Sequence, residues 1–204
     1  MITIIDYGLG NIRAFQRVFE HLKVEVSIAT CADDLVSATK LILPGVGAFD
    51  YAMTCLNHSG MRELLEKKVL SEKIPVLGVC VGMQMLASKS DEGVLPGLGW
   101  IEGSVKRFNP ETIPFKTRFP HMGWNSVIPV NHSPLMNGIQ SDSRFYFLHS
   151  YYFEAVHPGH TIATTIYGAK FCSAVQRENI FGVQFHPEKS HSNGVKLLHN
   201  FANL

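Results

Sequence analysis

The sequence lacks the features that mark export, membrane spanning or broad nucleic-acid binding. Its 18 Lys and Arg nearly balance 17 Asp and Glu, for a formal net charge of +1, which argues against nucleic acid or an anionic membrane as a partner. The longest mostly apolar run, residues 74–87, is shorter than the ~20 residues of a membrane-spanning helix. The opening MITIIDYGLGN has no positively charged leader, so a secretory signal is not expected.

Cysteine is scarce as well. The four cysteines are Cys31, Cys55, Cys80 and Cys172, and no two of them form a CxxC pair. Without an export signal, reduced thiols in the cytoplasm are expected rather than disulfides. The ten histidines show no HExxH or paired Cys/His spacing, so the sequence predicts no metal site and calls for no cofactor.

The first half of the chain predicts an α/β fold with a mostly parallel central sheet flanked by helices. Apolar runs read ITIID, EVSIAT, KLILPG and PVLGVC. Helical spacing of apolar residues lies between them, in NIRAFQRVFEHL and over residues 49–72 with a break near Gly60. Continuous apolar strands that alternate with helices are typical of a parallel sheet buried on both faces.

The second half changes character. Short runs such as GWIEGSVKRF, RFYFLHSYYFEA, TIATTIYG and IFGVQFHP are separated by turn residues, which predicts an added antiparallel or mixed sheet. SNGVKLLHNFANL predicts a closing helix with Ser192 or Asn193 as its N-cap. Because no linker or internal repeat is visible, residues 1–204 are expected to form one domain.

The segment GVCVGMQ, residues 78–84, places a cysteine between two glycines where a strand meets a helix. This G-x-C-x-G layout is typical of a nucleophile elbow, a tight turn that exposes the reactive atom above the sheet. A helix starting near Val81 would place unpaired N–H groups beside the sulfur and stabilise negative charge there. The alternative is that Cys80 is a buried cysteine acting as a small hydrophobe.

QFHPEKS offers a base for a cysteine nucleophile. His186 and Glu188 are two residues apart, so in extended backbone their side chains point the same way. Glu188 would then accept one imidazole proton and leave the other ring nitrogen for Cys80. Pro187 favours the extended conformation at His186. The alternative is a solvated loop after an edge strand.

LILPGVGAF supplies a third element. Its glycines, at positions 45 and 47, let backbone N–H groups face outward, as an oxyanion binder requires. Loops at the carboxyl ends of parallel strands gather on one side of the sheet, so this loop and the elbow would face one crevice. The alternative is an ordinary Gly/Pro turn.

These three elements, in this order, resemble the class I, triad-type glutamine amidotransferases, which have a flavodoxin-like fold. DYGLGN, GMQML, DEGVLPGLGWIEGSVKRF, PHMGWN, FYFLHSYY and GVQFHPEKS extend the resemblance over essentially the whole chain. They are similar to the glutaminase subunits of imidazole glycerol phosphate synthase. The resemblance implies that the chain hydrolyses L-glutamine to glutamate and ammonia. It also implies a heterodimer, in which a (β/α)8 cyclase uses the ammonia to make imidazole glycerol phosphate for histidine biosynthesis.

The resemblance implies a role for individual residues. The triad would consist of the nucleophile Cys80, the general base and acid His186, and its orienting partner Glu188. Three backbone positions would form the oxyanion hole: Val46, Gly47 and Val81.

Two further groups follow from the same resemblance. The glutamine would be bound by Gln84, Ser150 and Tyr151, and Gln84 lies one helical turn past Cys80 on the same face. The contacts with the cyclase would include Trp124, Asn125 and Lys189.

Val81 stands where the family pattern has leucine. Only its backbone N–H is needed, so activity is expected to persist, but the difference leaves open a paralogous glutaminase that feeds another synthetase, such as a surface-sugar aminating enzyme. A stand-alone cysteine hydrolase on the same fold is a second alternative. PHMGWN and HPEKS argue against it, because they suggest a docking surface that a stand-alone hydrolase would not need. The complete triad argues against a non-catalytic regulatory subunit.

Overall fold

The computed structural model describes residues 1–115 and 119–204. Its strands, in chain order, are β1 (Ile2–Ile5), β2 (Val26–Ala29), β3 (Lys40–Gly45), β4 (Val76–Cys80), β5 (Lys89–Ser90), β6 (Gly103–Arg107), β7 (His121–Ser126), β8 (Ile128–Pro129), β9 (Arg144–His149), β10 (Tyr151–Ala155), β11 (Thr161–Tyr167), β12 (Ala169–Arg177) and β13 (Ile180–Val183). The α-helices are α1 (Ile12–His21), α2 (Phe49–His58), α3 (Arg62–Glu66), α4 (Val81–Gln84) and α5 (His191–Ala202). None of the described helices is long and apolar enough to cross a membrane.

The parallel part of the large sheet has the strand order β2-β1-β3-β4-β13. Strands β1, β4 and β13 consist entirely of buried residues, because helices cover the sheet. Helix α1 buries Phe15 and Phe19, and α5 buries Leu197, Leu198 and Phe201, in the same core as the strands. The predicted parallel sheet flanked by helices is confirmed.

The second half extends this sheet. Strand β12 pairs antiparallel with β13, β10 with β12, and β6 with β10, while β11 joins β12 to β8. Strands β7 and β9 form a separate antiparallel ribbon. The predicted antiparallel or mixed addition is therefore confirmed. One of its members takes a different place, because β13 from IFGVQFHP pairs parallel with β4 and so belongs to the central sheet.

The predicted N-cap of the last helix is wrong by two or three residues. Helix α5 begins at His191, and Ser190 is its N-cap. The hydroxyl of Ser190 accepts from the Tyr146 N–H at 3.0 Å and donates to the His186 carbonyl at 2.6 Å. Gly194 packs directly on the Pro187 carbonyl. These contacts pull the first turn of the helix onto the His-Pro-Glu segment. The predicted break near Gly60, by contrast, lies where α2 ends and α3 begins.

Candidate active site

Cys80 occupies a strained turn between a strand and a helix. It is the last residue of β4, and α4 begins at the next residue. Its φ of 56° lies in the left-handed region, which a residue with a side chain adopts only where its surroundings enforce it. A Cβ on Gly82 would collide with the Leu43 carbonyl, and a Cβ on Gly78 would lie 2.6 Å from the Gly82 oxygen. Gly82 therefore lets α4 pack directly on the backbone of β3, and Gly78 lets it pack on the backbone of β4.

His186 and Glu188 come from the neighbouring strand. Because Val183 of β13 is in register with Val79 of β4, the chain beyond β13 emerges beside the elbow. His186 Nδ1 lies 2.9 Å from Glu188 Oε1, and the two side chains are 3% and 1% exposed. The Cys80 thiol group lines the same cavity as the His186 ring and lies near enough to raise the pKa of that ring. Sulfur, imidazole and carboxylate thus form one buried line.

The charges in this line act on the imidazole. Burial alone lowers the pKa of His186, but the hydrogen bonds to Cys80 and Glu188 and the negative charges of those groups outweigh it and raise the pKa to about 10. Imidazolium is therefore the favoured form of the ring when it faces the charged sulfur. This arrangement suits a thiolate nucleophile whose partner carries a proton ready to donate.

A cavity of about 280 Å³ opens above the sulfur. Its lining includes most of the residues singled out from the sequence: Val46, Gly47, Cys80, Val81, Gln84, Ser150, Tyr151, His186 and Lys189. Lys189 was expected at the partner surface, and the structure places it at this cavity, with Nζ 5.9 Å from the centroid of the Tyr146 ring. Glu188 lies behind His186, away from the cavity.

The candidate oxyanion positions border the elbow. Gly45 ends β3 in register with Cys80, and a Cβ on it would lie 2.5 Å from the Gly82 nitrogen. The chain leaves β3 at this point, so Val46 and Gly47 reach the cavity beside Val81, the first residue of α4. Gly47 has a φ of 87°, a conformation that is readily available to glycine alone.

Gln84 reaches the cavity wall and is tied into the protein interior. Its amide nitrogen donates to the Tyr151 carbonyl and to Gln184 Oε1, both at 3.1 Å. Gln184 Nε2 in turn lies 3.9 Å from Cys80 Sγ. Sequence reasoning gave no role to Gln184. The available signal was its place two residues before His186 in an extended stretch, where alternation puts both side chains on one side.

Asn11 was also missed. Its amide nitrogen donates to Glu188 Oε1 at 3.0 Å, although Asn11 occupies the N-cap position of α1 and makes no side-chain cap there. The signal was its position in DYGLGN, just after β1. In a parallel sheet the carboxyl ends of the strands meet at one edge, which is where the elbow lies.

Trp124 and Asn125 lie outside the cavity, on the ribbon β7–β9. Trp124 is 38% exposed and stacks on His191 with ring centroids 5.0 Å apart. Asn125 Nδ2 donates to the Ile166 carbonyl at 2.9 Å. Met122 and Leu148 of the same ribbon are exposed as well. The Tyr146 ring lies between Trp124 and Lys189, with its centroid 6.1 Å from that of Trp124 and 5.9 Å from Lys189 Nζ.

Residues 3–203 match the family model of class-I glutamine amidotransferases, and the chain belongs to this class. Among curated proteins it is 56% identical to the imidazole glycerol phosphate synthase subunit HisH of Bdellovibrio bacteriovorus and 52% identical to that of Leptospira interrogans, each over the full length of both chains. It is 45% identical to HisH 2 of Pseudomonas aeruginosa, again over both full lengths. Within the class, the chain belongs to the HisH family, which confirms the resemblance carried by the motifs.

Solved structures agree on the fold. A structure described as a glutamine amidotransferase superimposes with a TM-score of 0.75 at 18% identity, covering 100% of this chain and 99% of the other. A putative GMP synthase subunit from Thermoplasma acidophilum gives a TM-score of 0.73 at 20% identity, covering 99% and 92%. At such identities the likeness establishes the shared architecture alone.

Proposed function

We propose that this chain is the glutaminase of an imidazole glycerol phosphate synthase. It hydrolyses L-glutamine to glutamate and ammonia, and the ammonia passes to a cyclase subunit that forms imidazole glycerol phosphate for histidine biosynthesis. The observation that carries the proposal is the buried line of Cys80, His186 and Glu188 beside a cavity, in a chain of the HisH family. We further propose that residues 1–204 act as one domain and work in the cytoplasm, where the four free cysteines stay reduced.

The first half of the reaction uses the sulfur as nucleophile. The Cys80 thiolate attacks the side-chain amide carbon of glutamine, and the carbonyl oxygen takes up negative charge. The backbone N–H groups of Val46, Gly47 and Val81 border this position and would stabilise that charge. His186 donates its proton to the amide nitrogen, the C–N bond breaks, and ammonia leaves a γ-glutamyl thioester on Cys80.

The second half regenerates the enzyme. Water enters where ammonia left, and His186, now neutral, accepts a proton as the water attacks the thioester carbon. The C–S bond breaks, glutamate departs, and the thiolate and imidazolium are restored. Glu188 keeps the ring oriented in both halves, because its Oε1 accepts from Nδ1 and leaves Nε2 for the chemistry.

The partner subunit has a physical rationale. Free ammonia in neutral water becomes ammonium, which has no lone pair with which to attack. An enclosed route to a docked cyclase keeps the nitrogen nucleophilic. Trp124 and Asn125 on the exposed ribbon β7–β9, and Lys189 at the cavity, would form part of the heterodimer surface.

The test is a glutaminase assay with and without the cognate cyclase and its nucleotide substrate. We expect strong stimulation by the cyclase and loss of at least about 10⁴-fold in turnover for Cys80→Ala, in line with removal of other triad nucleophiles. Cys31→Ala, which changes an exposed free cysteine, is the matched control and should behave as the native protein.

Other outcomes would identify the alternatives. Equal turnover by the native protein and Cys80→Ala would indicate that the cysteine is not the nucleophile. Full activity without any cyclase would indicate a stand-alone hydrolase. Stimulation by another synthetase, but by no histidine-pathway cyclase, would indicate a paralogous glutaminase.

A further inference from the structure

Two buried histidines join the exposed ribbon β7–β9 to the candidate glutamine cavity. His149 Nδ1 lies 2.7 Å from the Tyr151 carbonyl oxygen. The other ring nitrogen, Nε2, lies 2.9 Å from Nδ1 of His121. On the far side of His121, Nε2 lies 3.2 Å from the Asn125 amide nitrogen. The result is an unbroken row of hydrogen bonds from Asn125 to Tyr151.

The two ends of this row dictate its proton arrangement. A carbonyl oxygen only accepts, so His149 Nδ1 carries a proton and, in the neutral ring, Nε2 accepts. His121 Nδ1 must therefore donate, and its Nε2 accepts from the Asn125 NH₂ group. The proton positions derived from the Tyr151 end agree with those that the Asn125 NH₂ group requires at the other end. Every donor in the row therefore faces an acceptor.

Both rings are neutral at physiological pH, as this arrangement requires. Burial lowers the pKa of His121 to about 4. Burial, and next the neighbouring His121, lower the pKa of His149 to about 3. The residues are 4% and 6% exposed, so water does not replace the bonds between them.

Aromatic packing keeps the rings in place. His121 stacks between Phe147 and Tyr167, with ring centroids 4.7 Å and 4.1 Å away. His149 packs against Phe108 and Phe171, both with centroids 5.3 Å away. Rings enclosed in this way cannot turn to find other partners, because a close-packed interior has no spare volume.

The row continues to the nucleophile. The Tyr151 carbonyl also accepts from Gln84 Nε2, which donates as well to Gln184 Oε1. Gln184 Nε2 lies 3.9 Å from Cys80 Sγ. One hydrogen-bonded path therefore connects Asn125, on the ribbon outside the cavity, with the sulfur of Cys80.

We propose that His121 and His149 are positioning residues that couple the ribbon β7–β9 to the cavity. They hold the Tyr151 carbonyl in place. This carbonyl in turn positions the sulfur through Gln84 and Gln184. A partner that moves Asn125 displaces the first donor of the row, and each later bond must readjust because each donor has one fitting acceptor. The proposal deepens the proposed function and rests on it, since it assumes a glutaminase that is stimulated by a docked subunit.

The central experiment breaks the row with ring-sized apolar side chains. His121→Phe and His149→Phe are assayed for glutamine turnover alone and with the cognate cyclase and its nucleotide substrate. The stimulation factor is the turnover with the cyclase and its substrate divided by the turnover alone. We expect this factor to fall at least tenfold in each variant, while the affinity for the cyclase stays native. The loss should fall on kcat, with KM changed less than threefold. The double variant should lose no more than either single one, as expected for members of one row.

A conservative variant and a packing control separate positioning from a structural role. His149→Asn keeps a donor near the Tyr151 carbonyl but loses the link to His121. Its unstimulated turnover should stay within threefold of native, while its stimulation stays as low as in His149→Phe. Phe147→Leu disturbs packing on both rings without removing a bond of the row, and should keep the native stimulation factor.

The ring protons can be observed directly by ¹⁵N NMR of histidine-labelled protein. We expect both rings to be neutral Nδ1–H tautomers from pH 8 to pH 5. A charged ring at pH 7, or an Nε2–H tautomer in either, would overturn the proposal even where a variant fails to fold. Native stimulation in both folded Phe variants would also overturn it. Failure of the proposed function gives a different result, because either the native protein itself would then show no stimulation by the cyclase or Cys80→Ala would retain turnover.

Discussion

Different kinds of interaction hold the two sides of the candidate cavity in place. The elbow side consists of backbone packed on backbone, with Gly45, Gly78 and Gly82 at the contacts. The base side consists of buried polar side chains joined by hydrogen bonds between distant parts of the chain, such as Asn11 with Glu188 and His121 with His149. The first side should be intolerant of an added methyl group and insensitive to charge. The second should respond most strongly to the loss of one polar atom.

The largest expected effect is on the base side. Glu188→Gln retains the shape but removes the charge that favours the His186 imidazolium. One carboxylate oxygen of Glu188 is buried without a hydrogen-bond partner among the described residues, so an NH₂ group placed there gains no acceptor. We expect kcat to fall by about 10³-fold to 10⁴-fold, the scale seen when a triad carboxylate loses its charge.

Steady-state kinetics at saturating glutamine measure this effect, and Glu178→Gln serves as the matched control. Glu178 is exposed, and among the described residues its one salt bridge is with Lys73. Retention of more than a third of kcat by Glu188→Gln would contradict an orienting role for this carboxylate.

The elbow side is tested by Gly82→Ala. The added Cβ would collide with the Leu43 carbonyl, and a backbone atom of a central strand cannot move aside as a side-chain tip can. We expect the free energy of unfolding to fall by at least about 3 kcal/mol, measured by urea denaturation. In Gly159→Ala the new Cβ meets no atom within 4 Å, so the change should stay within about 0.5 kcal/mol. A small change in the free energy of unfolding in both variants would mean that the backbone at the elbow adjusts easily to an added methyl group.

Acid should weaken the base side selectively. Because the pKa values of His121 and His149 are lowered on folding, the unfolded chain binds more protons below pH 6.5, and stability falls as pH falls from 6.5 towards 4. At pH 5.5 each group should cost about 1.4 kcal/mol. The double variant His121→Phe/His149→Phe should lose less stability than the native protein between pH 6.5 and pH 5 in urea unfolding, a window in which the raised pKa of His186 adds little slope. Phe147→Leu keeps both histidines and should keep the native slope; equal slopes in all three proteins would exclude the effect.

The smallest expected effect comes from Asn11→Ala. It removes one donor to Glu188 Oε1, and a hydrogen bond to a charged group contributes about 1.5 kcal/mol, or roughly tenfold in rate. We expect kcat to fall about tenfold with little change in KM. Asn131→Ala removes an exposed bond to the Thr161 carbonyl and should leave kcat native. A loss as large as that of Glu188→Gln would show that Asn11 does more than orient the carboxylate.

The sequence by itself determined the elements whose signals are local. Apolar runs and helical spacing sufficed for β1, β3, β4, α1 and the break after α2, because strands and helices bury their residues with different periods. The glycines on either side of Cys80 revealed the elbow, because a turn so close to another backbone excludes a Cβ. The expected pairing of His186 with Glu188 is present at 2.9 Å, but its predicted geometry was wrong, because Glu188 lies in the 3₁₀ turn Pro187–Lys189 and not in extended backbone.

Only the tertiary structure decided which distant segments meet. The insertion of β13 between β4 and β12 brings His186 to the elbow, and the pairing of β7 with β9 sets His121 opposite His149. Gln184 and Asn11 reach the site in the same way. Hydrogen bonds between residues far apart in the chain leave no periodic trace in the sequence, because their geometry depends on strand order and register, which are set by the packing of the whole core.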